Sequence, residues 1–174
     1  QSLMEHIING WNISSTQVRG SFIIPVPAQM QTQDRTWYRG TADAIYQNMA
    51  LIEDFKPDLV AVFGGDHIYK MDVSQMVDFH CCNNAIATVA AIPVPISEAS
   101  QFGIIQVDKD WRIVGFQEKP KDPTPLPNDK NMALASMGNY IFNTNDMLAL
   151  LKNDYNQKSS SHDFGKDIIP SLVG

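Results

Sequence analysis

The chain has 174 residues, of which 44% are hydrophobic and 18% charged, and its formal net charge is −6. This length and apolar content suffice for one buried core, so a single globular domain is expected. Its basic residues are scattered, which disfavours nucleic acid binding, and no apolar run approaches the ~20 residues of a membrane-spanning helix.

Helix and strand signals alternate in the first third of the chain. Apolar residues recur at three-to-four-residue spacing from Leu3 to Trp11, which predicts an amphipathic helix ending near Gly10. Phe22–Val26 predicts a strand. Thr41 is a good N-cap for the next helix, which Pro57 ends. The alternation indicates an α/β fold.

The clearest strand signal is Leu59–Phe63, which is apolar at every position, as expected of a strand covered on both faces in a parallel sheet. Gly64 and Gly65 end it. Asp72 can cap the helix that follows, and Ile86–Ile92 predicts a further buried strand.

The pattern changes after Pro93. Gly103–Val107 and Arg112–Phe116 predict two strands joined by a turn at 108–110, and so a β-hairpin inserted in the α/β domain. Three prolines between Lys121 and Asn128 exclude regular structure there. The last predicted elements are a short strand over Asn139–Phe142, a helix over Asn145–Leu151, a polar loop over Asn153–Ser161 and a helix starting near Phe164.

The two cysteines, Cys81 and Cys82, are adjacent in a predicted helix, where successive side chains diverge by about 100°. Free thiols are therefore expected rather than a disulfide bond. A zinc site is not expected either, because the sequence has no CxxC pair and no cluster of histidines near the two cysteines.

Asp66 is the first candidate for chemistry, since it follows a buried strand and a Gly-Gly pair. Ligands bind beyond the carboxyl ends of strands in open parallel sheets, and a carboxylate suits Mg²⁺ together with substrate phosphates. An Asp that merely ends the strand by turn chemistry fits the tripeptide equally well. The neighbouring His67 is interpreted as a structural or supporting residue rather than a ligand.

Two further segments combine charged and aromatic residues. In the string FQEKP, Lys119 could bind a phosphate as a point charge while Glu118 accepts hydrogen bonds from sugar hydroxyls. An exposed ion pair at a hairpin end explains the same residues and is favoured on spacing alone. The string WYRGT, residues 37–41, precedes a helix N-terminus that suits anions, although its aromatic residues could instead form a small satellite core.

A hydrolase interpretation of the Ser, His and Asp residues in 159–163 fails on geometry. Catalytic triads assemble from distant segments, and the chain has no Gly-x-Ser-x-Gly sequence. Helix capping by Ser or Asp explains much of this segment.

Taken in order, the strings WYRGTADA, GGDHIYKMD, PVPISEASQFG, FQEKP, ALASMGNYIF and SSHDFGKDIIP resemble the sugar-nucleotide pyrophosphorylases, and among them the bacterial glucose-1-phosphate adenylyltransferases. FQEKP is shared loosely by several pyrophosphorylases, whereas GGDHIY, SMGNYIF and SSHDFGKDIIP together are specific. The similarity runs from Ser2 to Pro170. It implies a Rossmann-like nucleotidyltransferase fold, with a mixed sheet and flanking helices, and a reaction that joins ATP to glucose 1-phosphate with Mg²⁺ in glycogen biosynthesis.

The resemblance also implies roles for individual residues. Asp66 would be the catalytic, metal-binding carboxylate, and Lys119 would be catalytic and hold the phosphate of glucose 1-phosphate. Trp37 and Arg39 would lie on the nucleotide side. The residues expected to surround glucose 1-phosphate are Tyr38, Gly103, Glu118, Lys119, Ser136, Tyr140 and Asp163.

The resemblance further implies that residues 1–174 are one partial catalytic domain, without the family's Gly-rich nucleotide-binding loop, second metal-binding Asp and C-terminal β-helix domain. The chain alone is therefore expected to be inactive. A cytoplasmic homo-oligomer is expected, a dimer for this chain and a tetramer for full-length members, with neither nucleic acid nor membrane as a partner. Two alternatives remain: a non-catalytic module for sugar phosphates or subunit contacts, and another sugar-1-phosphate nucleotidyltransferase.

Overall fold

The computed structural model describes residues 5–7, 23–26, 37–65, 68 and 70–173. The chain divides into two compact units, Gln1–Tyr38 and Arg39–Gly174. In the first unit, residues 5–7 are helical, as predicted, and the rest of that predicted helix lies outside the described residues. The predicted strand at 22–26 is not found over residues 23–26, where Pro25 has no N–H to donate to a sheet.

The second unit contains the sheet and the helices that flank it. Its strands are β1 (Leu59–Val62), β2 (Ala87–Pro95), β3 (Gly103–Val107), β4 (Ile113–Glu118) and β5 (Met132–Asn143). Its α-helices are α1 (Thr41–Tyr46), α2 (Met49–Phe55), α3 (Val73–Cys82), α4 (Thr144–Tyr155) and α5 (Ile169–Ser171). A 3₁₀ turn at Ala99–Gln101 and a π-helical turn at Phe164–Ile168 also occur. The α/β class is confirmed.

The strand β5 organises the sheet. β2 pairs along one side of it, while β1 and β3 pair with two successive parts of the other side. β1 meets residues 140–143 of β5, and β3 meets Leu134 and Ala135. The carboxyl end of β1 and the amino end of β3 therefore face each other across a break in the sheet edge. Beyond β3, β4 completes the predicted hairpin.

The sequence predicted parallel neighbours for the strand at Leu59–Phe63. This prediction is wrong, because the described strand pairs are all antiparallel. Nor is the strand fully covered, since Ala61 is exposed. A short apolar segment does not indicate whether the neighbouring strands are parallel or antiparallel to it. The short strand predicted over Asn139–Phe142 is in fact part of the twelve-residue β5, which continues through Gly138 despite a φ of +69° there.

The starts of the helices show one wrong and one correct capping prediction. Gly40 occupies the N-cap position of α1, and Thr41, the predicted cap, is the first helical residue. The Ala42 N–H donates to the distant His162 carbonyl at 2.8 Å, so a cap from Thr41 is not required. Asp72 does cap α3, accepting from the Ser74 N–H at 3.0 Å.

The main core lies between β5, α4 and the π-helical turn. The ring centroids of Tyr140 and Phe164 are 5.5 Å apart, and those of Phe142 and Phe164 are 5.8 Å apart. Met147 and Leu151 of α4 pack on this aromatic group and are almost fully buried. The core therefore holds Phe164, and with it the start of the π-helical turn, against β5.

Among the described residues, the structure shows neither a disulfide bond nor a membrane-spanning helix. Cys81 and Cys82 are exposed free thiols, as predicted. No described helix combines the length and the apolar character needed to cross a membrane.

Candidate active site

The break between β1 and β3 opens into a cavity of about 630 Å³. Phe63, Gly64 and Gly65 approach it from the end of β1, and Gly103 from the start of β3. Residues of the π-helical turn form another wall. The cavity thus lies where several strands and one helix begin or end, which is where functional groups can converge without disturbing the sheet.

This cavity brings together residues that are far apart in the sequence. Six residues that the resemblance assigns to glucose 1-phosphate line it, namely Gly103, Glu118, Lys119, Ser136, Tyr140 and Asp163. Of the described residues that line the cavity, Lys119 alone is cationic, and no described carboxylate forms an ion pair with it. The exposed Glu118–Lys119 ion pair considered from the sequence is therefore not found.

Glu118 and Lys119 are set by the end of β4. Glu118 is opposite Gly103 in the register of the hairpin, and the Lys119 N–H donates to the Phe102 carbonyl at 3.1 Å. Lys119 has a φ of +44°, in the left-handed region that is unfavourable for a residue with a side chain. A Cβ at Gly103 would come within 2.6 Å of the Phe116 ring and 3.2 Å of Glu118 Oε2. Glycine at this position therefore leaves room for the Glu118 carboxylate.

Asp163 stands at the N-terminus of the π-helical turn, where its Oδ1 accepts from the N–H groups of Gly165 and Lys166 at 2.9 and 3.1 Å. Its Oδ2 accepts from the Thr41 hydroxyl at 3.0 Å. The Asp163 carboxylate is therefore fixed on both oxygens while it lines the cavity.

Tyr140 contributes a buried hydroxyl to the same cavity. Burial raises the pKa of this hydroxyl above its ordinary value; a hydrogen bond with Ser136 acts in the opposite direction, and the carboxylates of Asp163 and Glu118 raise the pKa further. A hydroxyl with a raised pKa keeps its proton at neutral pH, so Tyr140 can both donate and accept a hydrogen bond.

Besides Arg39, three predicted site residues are not described within this cavity. Asp66, and His67 beside it, lie outside the described residues, although Gly65 before them lines the cavity. Trp37 and Tyr38 belong to the first unit, in which Trp37 is exposed and Tyr38 half-buried. Their roles stay predictions.

Arg39 does not line the cavity. Its guanidinium lies 4.6 Å from the centre of the Tyr155 ring, and its Nη2 is 3.4 Å from Asp43 Oδ1. Burial alone would raise the pKa of the Asp43 carboxyl, but hydrogen bonds from Arg39 and Gln47 hold that pKa below its ordinary value. These contacts explain Arg39 structurally, and its predicted role on the nucleotide side remains untested.

The cavity is also lined by Thr41, Phe164 and Gly165, for which no site role was predicted from the sequence. Each lies inside a string that carried the resemblance, so the signal was available. Gly40 is a further residue whose role was not predicted. A Cβ at this position would come within 2.3 Å of the His162 carbonyl oxygen and 2.4 Å of the Ser161 carbonyl oxygen. Two strings that are far apart in sequence are thus in backbone contact.

No group of three or more His, Cys, Asp or Glu side chains able to hold a metal ion occurs among the described residues. The donor set nonetheless suits Mg²⁺ bound through a single carboxylate and substrate phosphates, because the described lining of the cavity offers oxygen ligands and contains no thiol or imidazole. Asp66 is the residue predicted to supply that carboxylate.

A second groove, of about 600 Å³, holds none of the predicted site residues. Among its lining residues are Phe79, Ile86 and Trp111. All three are at least partly open to solvent, with 47%, 50% and 62% exposure. This groove is the alternative location for ligand binding.

An α/β sheet with a cavity at its strand ends, lined by one lysine and several hydroxyl and carboxylate groups, is typical of enzymes that act on phosphorylated substrates. The sequence profile named "Nucleotidyl transferase" matches residues 1–174, so the chain belongs to that family. It is 53% identical to a glucose-1-phosphate adenylyltransferase of Thermus thermophilus and 54% identical to glucose-1-phosphate adenylyltransferase 1 of Vibrio vulnificus strain YJ016. Each match covers 99% of this chain and 42% of the relative.

Proposed function

We propose that this chain is the part of a glucose-1-phosphate adenylyltransferase that holds glucose 1-phosphate, in the reaction that converts ATP and glucose 1-phosphate into ADP-glucose and diphosphate. The observation that carries the proposal is the convergence of Lys119, Glu118, Asp163 and Tyr140 on one cavity. The similarity to the adenylyltransferases named above supports the choice of sugar phosphate and nucleotide.

The chemistry of the cavity fits a ligand that combines one phosphate with several hydroxyl groups. The Lys119 ammonium, which forms no ion pair with a described carboxylate, suits a phosphate, because a charge-assisted hydrogen bond is roughly twice as strong as a neutral one. Carboxylates of Glu118 and Asp163 accept hydrogen bonds from hydroxyls, and the Tyr140 hydroxyl can donate to a sugar oxygen. Inorganic phosphate carries no sugar hydroxyls that could donate to these carboxylates.

Orientation is the main contribution that these residues make to the reaction. The attacking phosphate oxygen must be held in line with the α-phosphorus of ATP, and little covalent chemistry is asked of the protein. Lys119 would hold the phosphate at one end of the sugar, while Glu118 and Asp163 would fix the other. Mg²⁺, bound through Asp66, would supply charge neutralisation at the nucleotide phosphates.

The native partners and the compartment belong to the same proposal. ATP and a sugar phosphate are intracellular metabolites, which supports the cytoplasm as the working compartment. Assembly into homo-oligomers is proposed as well. The chain spans 42% of the length of these relatives, so the complete reaction is proposed for the whole protein rather than for these residues alone.

Isothermal titration of the chain with glucose 1-phosphate and Mg²⁺ tests the proposal. Lys119→Met keeps the aliphatic stem and removes the charge, and it should weaken binding roughly ten- to hundredfold, the equivalent of one lost charge-assisted hydrogen bond. Lys109→Met, at the exposed hairpin turn, is the matched control and should bind as the unaltered chain does. Absence of saturable binding, or equal affinities for both variants, would reject the proposal.

Competition separates the alternatives. Displacement of glucose 1-phosphate by ADP-glucose more readily than by UDP-glucose or dTDP-glucose supports an adenylyltransferase. The reverse order indicates a nucleotidyltransferase of other base specificity. Binding of glucose 6-phosphate with equal affinity would indicate a general sugar-phosphate module.

A further inference from the structure

Thr41 and Asp163 come from distant parts of the chain and meet at the rim of the cavity. The Thr41 hydroxyl donates to Asp163 Oδ2 at 3.0 Å, across a separation of 122 residues in the sequence. The same hydroxyl oxygen accepts from the Phe164 N–H at 3.1 Å. Because this hydroxyl donates in one direction and accepts in another, its orientation is fixed.

The position of Thr41 is itself fixed by the backbone. As the first residue of α1, it is followed by Ala42 and Asp43, whose N–H groups donate to the His162 carbonyl at 2.8 and 3.4 Å. Gly40 permits this close approach, since it carries no Cβ. The start of α1 and residues 162–164 are therefore held together by several hydrogen bonds.

The two oxygens of Asp163 have different environments. Oδ1 accepts two backbone hydrogen bonds from the π-helical turn, which account for both of its lone pairs. Oδ2 accepts from Thr41 alone among the described residues, so it can accept one more hydrogen bond. A ligand hydroxyl in the cavity can donate to that second position.

We propose that Thr41 is a positioning residue for sugar binding, whose hydroxyl holds Asp163 Oδ2 so that its remaining lone pair receives a ligand hydroxyl. The proposal rests on the function proposed above and assigns to Thr41 an action through Asp163 rather than through its own contact with the sugar.

Two substitutions at the same position separate the hydroxyl from the shape of the side chain. Thr41→Val keeps the branched shape and removes the hydroxyl, and it should weaken glucose 1-phosphate binding about three- to tenfold, as expected for one hydrogen bond. Thr41→Ser keeps the hydroxyl and should bind within about twofold of the unaltered chain. Affinity for inorganic phosphate, which Lys119 holds, should not change in either variant.

A double-mutant cycle then asks whether Thr41 acts through Asp163. Asp163→Asn keeps an oxygen that can cap the π-helical turn, and the cycle compares Thr41→Val, Asp163→Asn and the double variant by titration with glucose 1-phosphate. The double variant should bind no more weakly than Asp163→Asn alone. Additive losses, a Thr41→Ser variant as weak as Thr41→Val, or unaltered binding by Thr41→Val would each overturn the proposal. If the unaltered chain does not bind glucose 1-phosphate, the proposed function fails first and this proposal with it.

Discussion

The contact between Gly40 and the backbone of residues 161–162 allows a stability change to be worked out in advance. In Gly40→Ala, the new Cβ would come within 2.3 Å of the His162 oxygen and 2.4 Å of the Ser161 oxygen. Both neighbours are backbone atoms and cannot rotate away as a flexible side chain would. The His162 carbonyl also accepts the Ala42 N–H, so moving it breaks that hydrogen bond.

The cost has two parts. Overpacking of a rigid site costs about 1–3 kcal/mol, and a backbone hydrogen bond contributes about 0.5–1.5 kcal/mol. We expect Gly40→Ala to lower the free energy of unfolding by about 2–4 kcal/mol, a large share of the roughly 5–15 kcal/mol of a typical domain. Urea unfolding of Gly40→Ala and the unaltered chain measures the difference, provided that the m-values agree.

Gly65→Ala is the matched control, because an added Cβ at Gly65 would meet no heavy atom of the described residues within 4 Å, its chain neighbours aside. It should change the free energy of unfolding by less than about 0.5 kcal/mol. If Gly40→Ala proved as stable as Gly65→Ala, the close approach of α1 to residues 161–162 would be refuted.

Three further predictions concern buried or capping side chains. Asn139 is fully buried, and neither its Oδ1 nor its Nδ2 has a hydrogen-bond partner among the described residues. Asn139→Leu should therefore raise the free energy of unfolding by about 1–3 kcal/mol. A lower melting temperature would contradict this prediction. Asp72→Ala removes the cap of α3 and should lower the urea concentration at the midpoint of unfolding, whereas Asp72→Asn should restore most of that loss. The pKa of Asp43 is lower in the folded chain than in the unfolded chain. Its contribution to stability is therefore complete above the unfolded pKa of about 3.9 and is lost as the pH falls through the lower folded pKa. Asp43→Asn should accordingly show a smaller loss of stability between neutral pH and pH ~3, and an unchanged pH profile would count against the assigned pKa shift.

Local signals in the sequence were sufficient for several elements. The hairpin of β3 and β4 was predicted because two short strand-like runs flank an Asp-Lys-Asp turn, and the antiparallel pairing of the two strands is confirmed. The cap of α3 by Asp72 depends on two residues of sequence separation and was also predicted correctly. In both cases, the interacting residues are close in sequence, at most fifteen positions apart.

Long-range contacts account for what the sequence did not predict. The direction of the strands beside β1 depends on β5, about eighty residues further along, and nothing within an apolar run reports it. Thr41 was predicted as a helix cap from its neighbours in the sequence. Its hydrogen-bond partners lie in residues 162–164, which local spacing cannot indicate. Gly138 marks a break in the pattern of β5 although the strand runs through it.

The candidate site was predicted from the resemblance rather than from chemistry alone. Spacing favoured a solvent-exposed ion pair for Glu118 and Lys119, and only the fold brings them to the same cavity as Tyr140 and Asp163. Distances between strand ends determine such a site, and these distances follow from the sheet topology.

The most direct test of the central claim is to locate the binding site of glucose 1-phosphate. Changes in the amide chemical shifts of the ¹⁵N-labelled chain measure that location. We expect saturable shifts at Gly103, Lys119 and Gly165 when glucose 1-phosphate and Mg²⁺ are added, with none at the second groove beside Trp111. Shifts confined to that groove, or no saturable shifts around the cavity, would contradict the assignment of this cavity as the sugar-phosphate site.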